Sequence, residues 1–177
     1  MKAVLFSFLL LFVQGKSCPN GYTQAPNDGS CYKINVYWDW FYDIPVPTTF
    51  DQAETDCSYA GAFLASVHSQ EENDFVFGLM DADKRCAYQD RNIGLECNGK
   101  NCYWRDGSPV TYTNFEAGDE PLNDGWKRCY GLYDFTDDHA WRVKDCKQTR
   151  DLDCWICKKP IACHDYETAY NGGCVSV

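Results

Sequence analysis

The sequence of 177 residues has no second long apolar run after its N-terminus, no run of Lys or Arg, and only three histidines. Apart from residues 3–13, no stretch is apolar enough to anchor the chain in a bilayer. A formal net charge of −10 with scattered cations disfavours nucleic acid and anionic membranes as partners, because both require a cationic surface. The acidity fits a soluble protein.

The first residues have the three-part pattern of a secretory signal peptide. Lys2 precedes the apolar residues 3–13, and small residues follow at Gly15 and Ser17. The apolar run is too short to span a bilayer. The pattern predicts cleavage after residue 15 or 17 and a secreted, extracellular chain without membrane insertion.

Twelve cysteines are present, an even number that predicts a disulfide framework in an exported chain. Cys154 and Cys157 form a CxxC pair, which also occurs in redox and zinc dithiols. The chain has no second CxxC, and its histidines lie far apart. The disulfide framework is therefore favoured over the dithiol.

Two segments carry the start signals of helices, TTFDQAETDCSYAG (residues 48–61) and SQEENDFVFGLM (residues 69–80). Capping boxes begin both, at Thr49 with Gln52 and at Ser69 with Glu72, and Gly61 ends the first. The apolar residues that recur on one face are Phe50, Ala53 and Cys57 in the first helix, and Phe75 and Leu79 in the second. After these helices, aromatic and β-branched residues alternate with turn residues, which predicts mostly antiparallel strands and the α+β class.

Residues 35–47, NVYWDWFYDIPVP, are unusually aromatic. Strand alternation places Tyr37, Asp39 and Phe41 opposite Trp38, Trp40 and Tyr42, so we expect at most half of them to be exposed. Exposed rings flanked by acids form a sugar-stacking or protein-binding surface, whereas packed rings belong to a core. Both interpretations stay open.

The sequence resembles a C-type lectin-like domain of the long form, from about Cys18 to Pro160. The resemblance rests on the order and spacing of CPNGYTQAPNDGSCYK, TFDQAETDC, GAFLASVHSQEENDFV, NIGL, WRDGSPVTYTNFEAGDEP, Cys129, HAWRVKDC and WICKK. It implies two helices and antiparallel strands with a long loop region, stapled by disulfides. We expect a signal peptide over residues 1–17, the domain over 18–160, and a short disulfide-bonded tail over 161–177.

The resemblance also implies disulfide pairs. The long form of the domain pairs Cys18 with Cys31, Cys57 with Cys157, and Cys129 with Cys146. Cys97 and Cys102 flank the turn NGKN, which brings them close, and the tail offers Cys163 with Cys174. Cys86 and Cys154 are then left for each other.

The long loop is where calcium-dependent sugar binders of this family place their ligands. They carry a Glu-Pro-Asn or Gln-Pro-Asp triplet, a later Glu, and Trp-Asn-Asp on the next strand, because calcium needs six to eight oxygens. Here Glu120 and Pro121 match, but Leu122 takes the third triplet position. Where those proteins carry the later Glu, this sequence has Trp126, Lys127 and Arg128. Where they carry the final Asn and Asp, it has Arg142 and Val143. We therefore predict no calcium-bridged sugar site and no cofactor.

A weaker alternative keeps a calcium site at Glu120, Asn123 and Asp124. Asp119 is an extra residue compared with the family pattern, and a one-residue shift of the loop would bring Asn123 or Asp124 into the coordination sphere. Asp137 and Asp138 could also approach. Against it, we hypothesise that Arg142 replaces the cation by pairing with Glu120, Asp119 or Asp124, and that Pro121 shapes the loop through a cis bond. The ligand-binding candidates are Asp119, Glu120, Asn123, Asp124, Trp126 and Arg142.

No catalytic motif is found. DGSPV is not a nucleophile elbow, and only His139 lies beside a carboxylate pair, on a predicted loop. We expect a secreted binding module rather than an enzyme, with an extracellular glycan or protein as its ligand. The alternatives are a carbohydrate-binding lectin of surface or immune recognition, calcium-dependent or not, and a protein-binding or matrix component.

Overall fold

The computed structural model describes residues 18–86, 91–133, 139–147, 154–159, 167–170 and 173–176. The predicted signal peptide lies outside these residues, and so do Asp137, Asp138 and Cys163. Within the described ranges, none of the helices has the length and apolar character needed to cross a membrane.

Helix α1, Phe50–Tyr59, begins and ends as the sequence predicts. The backbone amide of Gln52 donates to Thr49 Oγ1 at 3.2 Å, and the Gln52 side chain accepts from the Thr49 amide at 3.0 Å, so the capping box is complete. Gly61 has a φ of +64°, the left-handed conformation that ends many helices. The buried face consists of Phe50, Ala53 and Cys57, as predicted.

Helix α2, Gln70–Ala82, begins at Ser69, whose hydroxyl accepts from the Glu72 amide at 3.1 Å. The predicted second capping box is only half formed, because the Glu72 carboxylate accepts from the His68 amide at 2.7 Å, one residue before the Ser69 amide that a capping box uses. Phe75 and Leu79 pack at the edge of the core, on the face that their spacing predicts. A 3-10 helix, Lys84–Cys86, follows.

Eleven strands are described, and nine of them form one sheet. They are β1 Thr23–Gln24, β2 Cys31–Asp39, β3 Ile44–Val46, β4 Phe63–Leu64, β5 Arg91–Asn98, β6 Asn101–Trp104, β7 Lys127–Leu132, β8 Trp141–Lys144, β9 Cys154–Lys159, β10 Glu167–Tyr170 and β11 Gly173–Ser176. The main sheet runs β1-β2-β9-β5-β7-β8, with β3 beside β2, β4 beside β9 and β6 beside β5. Only β5 and β9 pair in parallel among these strands, so the predicted α+β class is confirmed.

The tail contains a hairpin, in which β10 pairs antiparallel with β11 as a separate two-stranded sheet. The predicted link between Cys163 and Cys174 lies outside the described residues. The boundaries at residues 17 and 160 stay predictions.

Two buried clusters form the core. The larger one gathers aromatic and aliphatic side chains between α2 and the sheet, among them Tyr32, Trp104, Tyr130, Trp141 and Ile156. The indole rings of Trp104 and Trp141 meet edge to face at 5.5 Å. The smaller cluster lies between α1 and β9 around Phe50, Leu64 and Trp155. Trp141 begins β8, so the larger core also supports the loop that faces this strand.

The described residues contain five disulfides, and each of them is a predicted pair. They are Cys18–Cys31, Cys57–Cys157, Cys86–Cys154, Cys97–Cys102 and Cys129–Cys146. The two cysteines of the CxxC motif therefore belong to different bridges, which rules out the redox or zinc dithiol between them. Cys57–Cys157 ties α1 to β9, and Cys129–Cys146 ties β7 to the residues after β8.

Candidate functional site

The long loop, residues 105–126, connects β6 to β7, and one buried carboxylate holds its two ends together. Glu96 on β5 is 3% exposed and forms ion pairs with Arg105 at 2.7 Å and with Lys127 at 3.0 Å. Tyr103 donates to the same carboxylate. Partial burial, together with this hydrogen bond, raises the pKa of Tyr103 to about 12.

The middle of the long loop lies against β7 and β8. The Glu116 amide donates to the Trp141 carbonyl at 2.9 Å, and the Trp141 amide donates to the Asn114 carbonyl at 2.6 Å. Tyr130 donates to the Asp119 carbonyl at 3.0 Å. Burial raises the pKa of Tyr130 to about 12, so its hydroxyl stays protonated and keeps donating. The loop is therefore fixed to the sheet up to Asp119.

The turn of GDEPLNDGW is made by glycines and by side chains that accept from the backbone. Gly118 has a φ of +95°, and its amide donates to Glu120 Oε2 at 3.0 Å. Gly125 has a φ of +73°. The described residues contain no cis peptide bond, so the predicted cis bond before Pro121 is wrong. These turns reverse the chain with the trans form, which X-Pro bonds prefer.

Asp119 is held from β8, although less by Arg142 than predicted. Its Oδ2 accepts from the Val143 backbone amide at 3.1 Å, whereas Arg142 Nε lies 3.9 Å away, beyond hydrogen-bond distance. The guanidinium of Arg142 instead lies over the Tyr133 ring, 4.0 Å from its centroid. Arg142 thus pairs weakly with Asp119, one of the three acids named for it, and the hypothesis missed the backbone amide of Val143.

Asp124 is paired with Arg128, a residue of the expected ligand stretch for which no role was predicted. Both terminal nitrogens of the guanidinium contact the carboxylate: Nη1 donates to Oδ1 at 2.8 Å, and Nη2 donates to Oδ2. The Trp126 amide also donates to Oδ1 at 3.0 Å. Mainly through the hydrogen bonds from Arg128, the pKa of Asp124 is held well below its usual range. We call this pair the Asp124–Arg128 clamp.

The tip of the long loop presents two apolar side chains to solvent. Leu122 is 53% exposed and Trp126 is 72% exposed. Asn123 lies exposed between them. Leu122 occupies the position at which the calcium-dependent sugar binders carry an amide or carboxylate oxygen.

The side chains of the loop do not fit calcium. Asp119 and Asp124 already accept hydrogen bonds from backbone amides, and the clamp engages both oxygens of Asp124. Glu120 bonds within its own turn. Arg128 and Arg142 place fixed positive charge where a divalent cation would need oxygen ligands. Within the described ranges, no group of three or more His, Cys, Asp or Glu residues could hold a metal ion.

A second exposed surface is the aromatic hairpin, residues 37–46, formed by β2, β3 and the turn between them. Four of its five aromatic side chains are exposed: Tyr37, Trp40, Phe41 and Tyr42. The expectation that at most half would be exposed is therefore wrong. Strand β2 ends at Asp39, so the alternation stops there and the turn residues project away from the sheet.

His139 has a structural role. Its carbonyl accepts from Asn73 and Asn114, and its ring stacks on Phe77 at 4.2 Å. Its Nδ1 lies 2.9 Å from Asp74 Oδ1. These contacts fix the approach to β8 and do not place His139 beside a nucleophile.

The fold and the long loop define a disulfide-stapled C-type lectin-like domain. The family model of the lectin C-type domain matches residues 46–159, which is more than half of the chain. The chain belongs to the C-type lectin domain family.

Several known proteins are similar over most of their length. Snaclec 3 of Sistrurus catenatus edwardsii is 34% identical over 148 residues, which cover 78% of this chain and 86% of that protein. One chain of the snaclec coagulation factor IX/factor X-binding protein of Gloydius halys is 31% identical over 144 residues, with coverages of 78% and 84%. The crystal structure of human lithostathine matches with a TM-score of 0.65 at 25% identity, over 82% of this chain and 92% of that chain.

Proposed function

We propose that this chain is a secreted, non-catalytic C-type lectin-like module that binds an extracellular protein through the tip of its long loop, without calcium. The observation that carries the proposal is the exposed pair Leu122 and Trp126, held beside the Asp124–Arg128 clamp. Exposed Trp and Leu side chains on an ordered loop are suited to anchor in a protein partner.

A calcium-bridged glycan is a poorer fit for the same tip. Such a site needs oxygen ligands that bind the metal and two sugar hydroxyls together. Leu122 supplies no oxygen, and Arg128 engages both oxygens of Asp124. The Gloydius halys relative is named as a coagulation factor IX/factor X-binding protein, which supports a protein ligand.

An extracellular location is part of the proposal. The disulfides of the described residues form in oxidising compartments, and the N-terminus has the pattern of a signal peptide. We do not assign an enzymatic activity. Ser108 in the long loop lies 3.1 Å from His68 Nε2, but this Ser is buried and its hydroxyl donates to Asp106 Oδ1, so it is not presented to a substrate as an activated nucleophile.

The binding experiment compares the wild type with Leu122→Ser/Trp126→Ser on an array of purified extracellular proteins and on a glycan array. We expect a protein ligand that the wild type binds equally with calcium or chelator, and that the double variant binds at least about tenfold more weakly. Tyr59→Ser serves as the control, because it removes a ring on α1 that is 87% exposed and lies outside both the long loop and the aromatic hairpin. Glycan binding that a chelator abolishes would contradict the proposal.

The Asp124–Arg128 clamp predicts the response to calcium and pH. Millimolar calcium should leave the Tm unchanged, and Arg128→Ala should accelerate amide exchange over residues 118–126 by about tenfold. Because the folded-state pKa of Asp124 is lowered, the clamp's contribution is present above the unfolded value, near 4, and is lost as pH falls through the lowered pKa. Exchange protection should therefore persist at about pH 4 in the wild type.

Arg142→Ala is the control for the clamp, since its Nε lies 3.9 Å from Asp119 and a smaller acceleration is expected. A calcium-induced rise in Tm that a chelator reverses would show that the loop binds the metal. Equal exchange in Arg128→Ala and the wild type would show that the clamp does not order the tip.

A further inference from the structure

We propose that the aromatic hairpin, residues 37–46, is a second docking surface of this protein, and that its partner is a cationic protein segment carrying apolar side chains. The proposal does not depend on the long-loop tip. It rests on the exposure of the hairpin, on its preorganised turn, and on the sign of the charge around it.

The turn of the hairpin presents its rings to solvent on an ordered backbone. Trp40 is 80% exposed and Phe41 is 86% exposed. Asp39 Oδ1 accepts from the amides of Phe41 and Tyr42 at 2.8 and 3.1 Å, which fixes the turn. The rings of Phe41 and Tyr42 meet edge to face at 4.9 Å. Rings held in place in this way lose little conformational entropy when a partner covers them.

The base of the hairpin is joined to the core. The Tyr37 ring lies 4.8 Å from that of Trp155, which is buried, and its hydroxyl donates to Asp56 on α1 at 3.1 Å. Strand β2 pairs with β9 from Cys31 to Val36, immediately before the exposed segment. The aromatic hairpin is therefore a rigid projection of the domain.

The sequence that contains the hairpin carries charge of one sign. Residues 34–83 contain ten Asp and Glu residues and no Lys or Arg. Three of these acids, Asp39, Asp43 and Asp56, belong to the hairpin or bond to it. Among the residues that the structure describes, no cation forms an ion pair with any of the three. A Lys or Arg on a partner would therefore find, beside exposed rings, carboxylates that none of the described cations pairs with.

This combination selects the chemistry of the partner. A guanidinium or ammonium group is attracted electrostatically both to an exposed indole or phenyl face and to a carboxylate, and its aliphatic stem covers apolar surface. A second copy of this chain would bring the same acids face to face and repel. An anionic membrane is disfavoured for the same reason.

The hairpin and the long-loop tip lie toward opposite ends of β5. Val36, just before the hairpin, pairs with Cys154 on β9, and Cys154 pairs in turn with Arg91, the first residue of β5. The hairpin therefore lies near the start of β5. At the other end, the carbonyl of Trp126 in the long-loop tip accepts from the amide of Gly99, the residue just after β5. An eight-residue strand spans roughly 25 Å. Substitutions in one of these surfaces should therefore leave the other unchanged.

A random peptide library displayed on phage provides the test. The library is selected on the wild-type chain, with counter-selection on Trp40→Ser/Phe41→Ser/Tyr42→Ser. We expect the enriched peptides to contain Arg or Lys next to apolar residues and to bind the triple variant at least about tenfold more weakly than the wild type. Leu122→Ser/Trp126→Ser should bind them as tightly as the wild type.

The charges are tested with Asp43→Asn/Asp56→Asn, which keeps both side-chain acceptors and removes two negative charges. Affinity for the enriched peptides should fall by about tenfold at low salt, and its dependence on salt should become weaker. The Tm of every variant should stay near the wild-type value, because the substituted groups are exposed or keep their hydrogen bonds.

Four results would overturn the proposal. The first is enrichment of only neutral or acidic peptides, and the second is peptide binding that survives in the triple variant. The third is sedimentation of the wild type as a dimer and of the triple variant as a monomer, which would make a second copy of the chain the occupant. The fourth is binding of the wild type to phosphatidylcholine vesicles that the triple variant loses, which would make a lipid surface the occupant.

Discussion

Replacing Cys57 and Cys157 with alanine is expected to lower the free energy of unfolding by about 4 to 5 kcal/mol. The bridge closes a loop with a sequence separation of 100 residues. In the chain-entropy model, a loop of that length restricts the unfolded chain strongly, so its opening favours unfolding. Both cysteines are buried in the cluster between α1 and β9, so the substitution also removes packing.

Cys97→Ala/Cys102→Ala is the matched control, because that bridge has a sequence separation of only five residues. The same model gives it about 2 kcal/mol. Urea denaturation of both variants, with the m-value of each fitted separately, measures the difference. Equal losses for the two bridges would show that loop length does not determine their contribution.

The helices could be predicted from the sequence because their signals are local. Thr49 and Gln52 are close in sequence, and the structure shows their capping box with the predicted buried face of α1. The tie between Cys57 and Cys157 could be anticipated only through the family resemblance, since a separation of 100 residues leaves no local signal. The resemblance therefore supplied the long-range part of the fold.

The long-loop tip was predicted in part. The absence of an oxygen at Leu122 could be read directly from the sequence, and it led to the expectation of a loop without calcium. The partner of Asp124 could not be read in the same way, because the sequence offers more than one cation for it, among them Arg128 and Arg142. Arg128 makes the bidentate contact, while Arg142 lies over Tyr133. The spacing of four residues between Asp124 and Arg128 was the available signal.

The aromatic hairpin shows where alternation fails as a guide. The rule holds while a strand is paired and one face is covered. Strand β2 pairs with β9 only as far as Val36, and its turn begins after Asp39. After Asp39, the rings of Trp40, Phe41 and Tyr42 are exposed whichever side of the strand the alternation assigns them to.

Lys158→Met is expected to lower the free energy of unfolding by about 3 to 5 kcal/mol, because it leaves a buried carboxylate without its cation. Glu72 is 3% exposed, and its Oε1 lies 2.6 Å from Lys158 Nζ. Tyr32 also donates to this oxygen, and the amide of His68 donates to Oε2. A residue that the sequence identifies only as a helix cap thus lies at a buried polar centre between α2 and β9.

The double variant Glu72→Gln/Lys158→Met distinguishes a lost cation from lost packing. Glutamine keeps an acceptor for the His68 amide and carries no charge, so most of the stability should return. Burial lowers the pKa of His68, and the charge of Lys158 lowers it further, so an NMR titration should show a higher His68 pKa in Lys158→Met. Urea denaturation gives the stabilities. If the double variant is no more stable than Lys158→Met, the loss comes from packing rather than from the unpaired carboxylate.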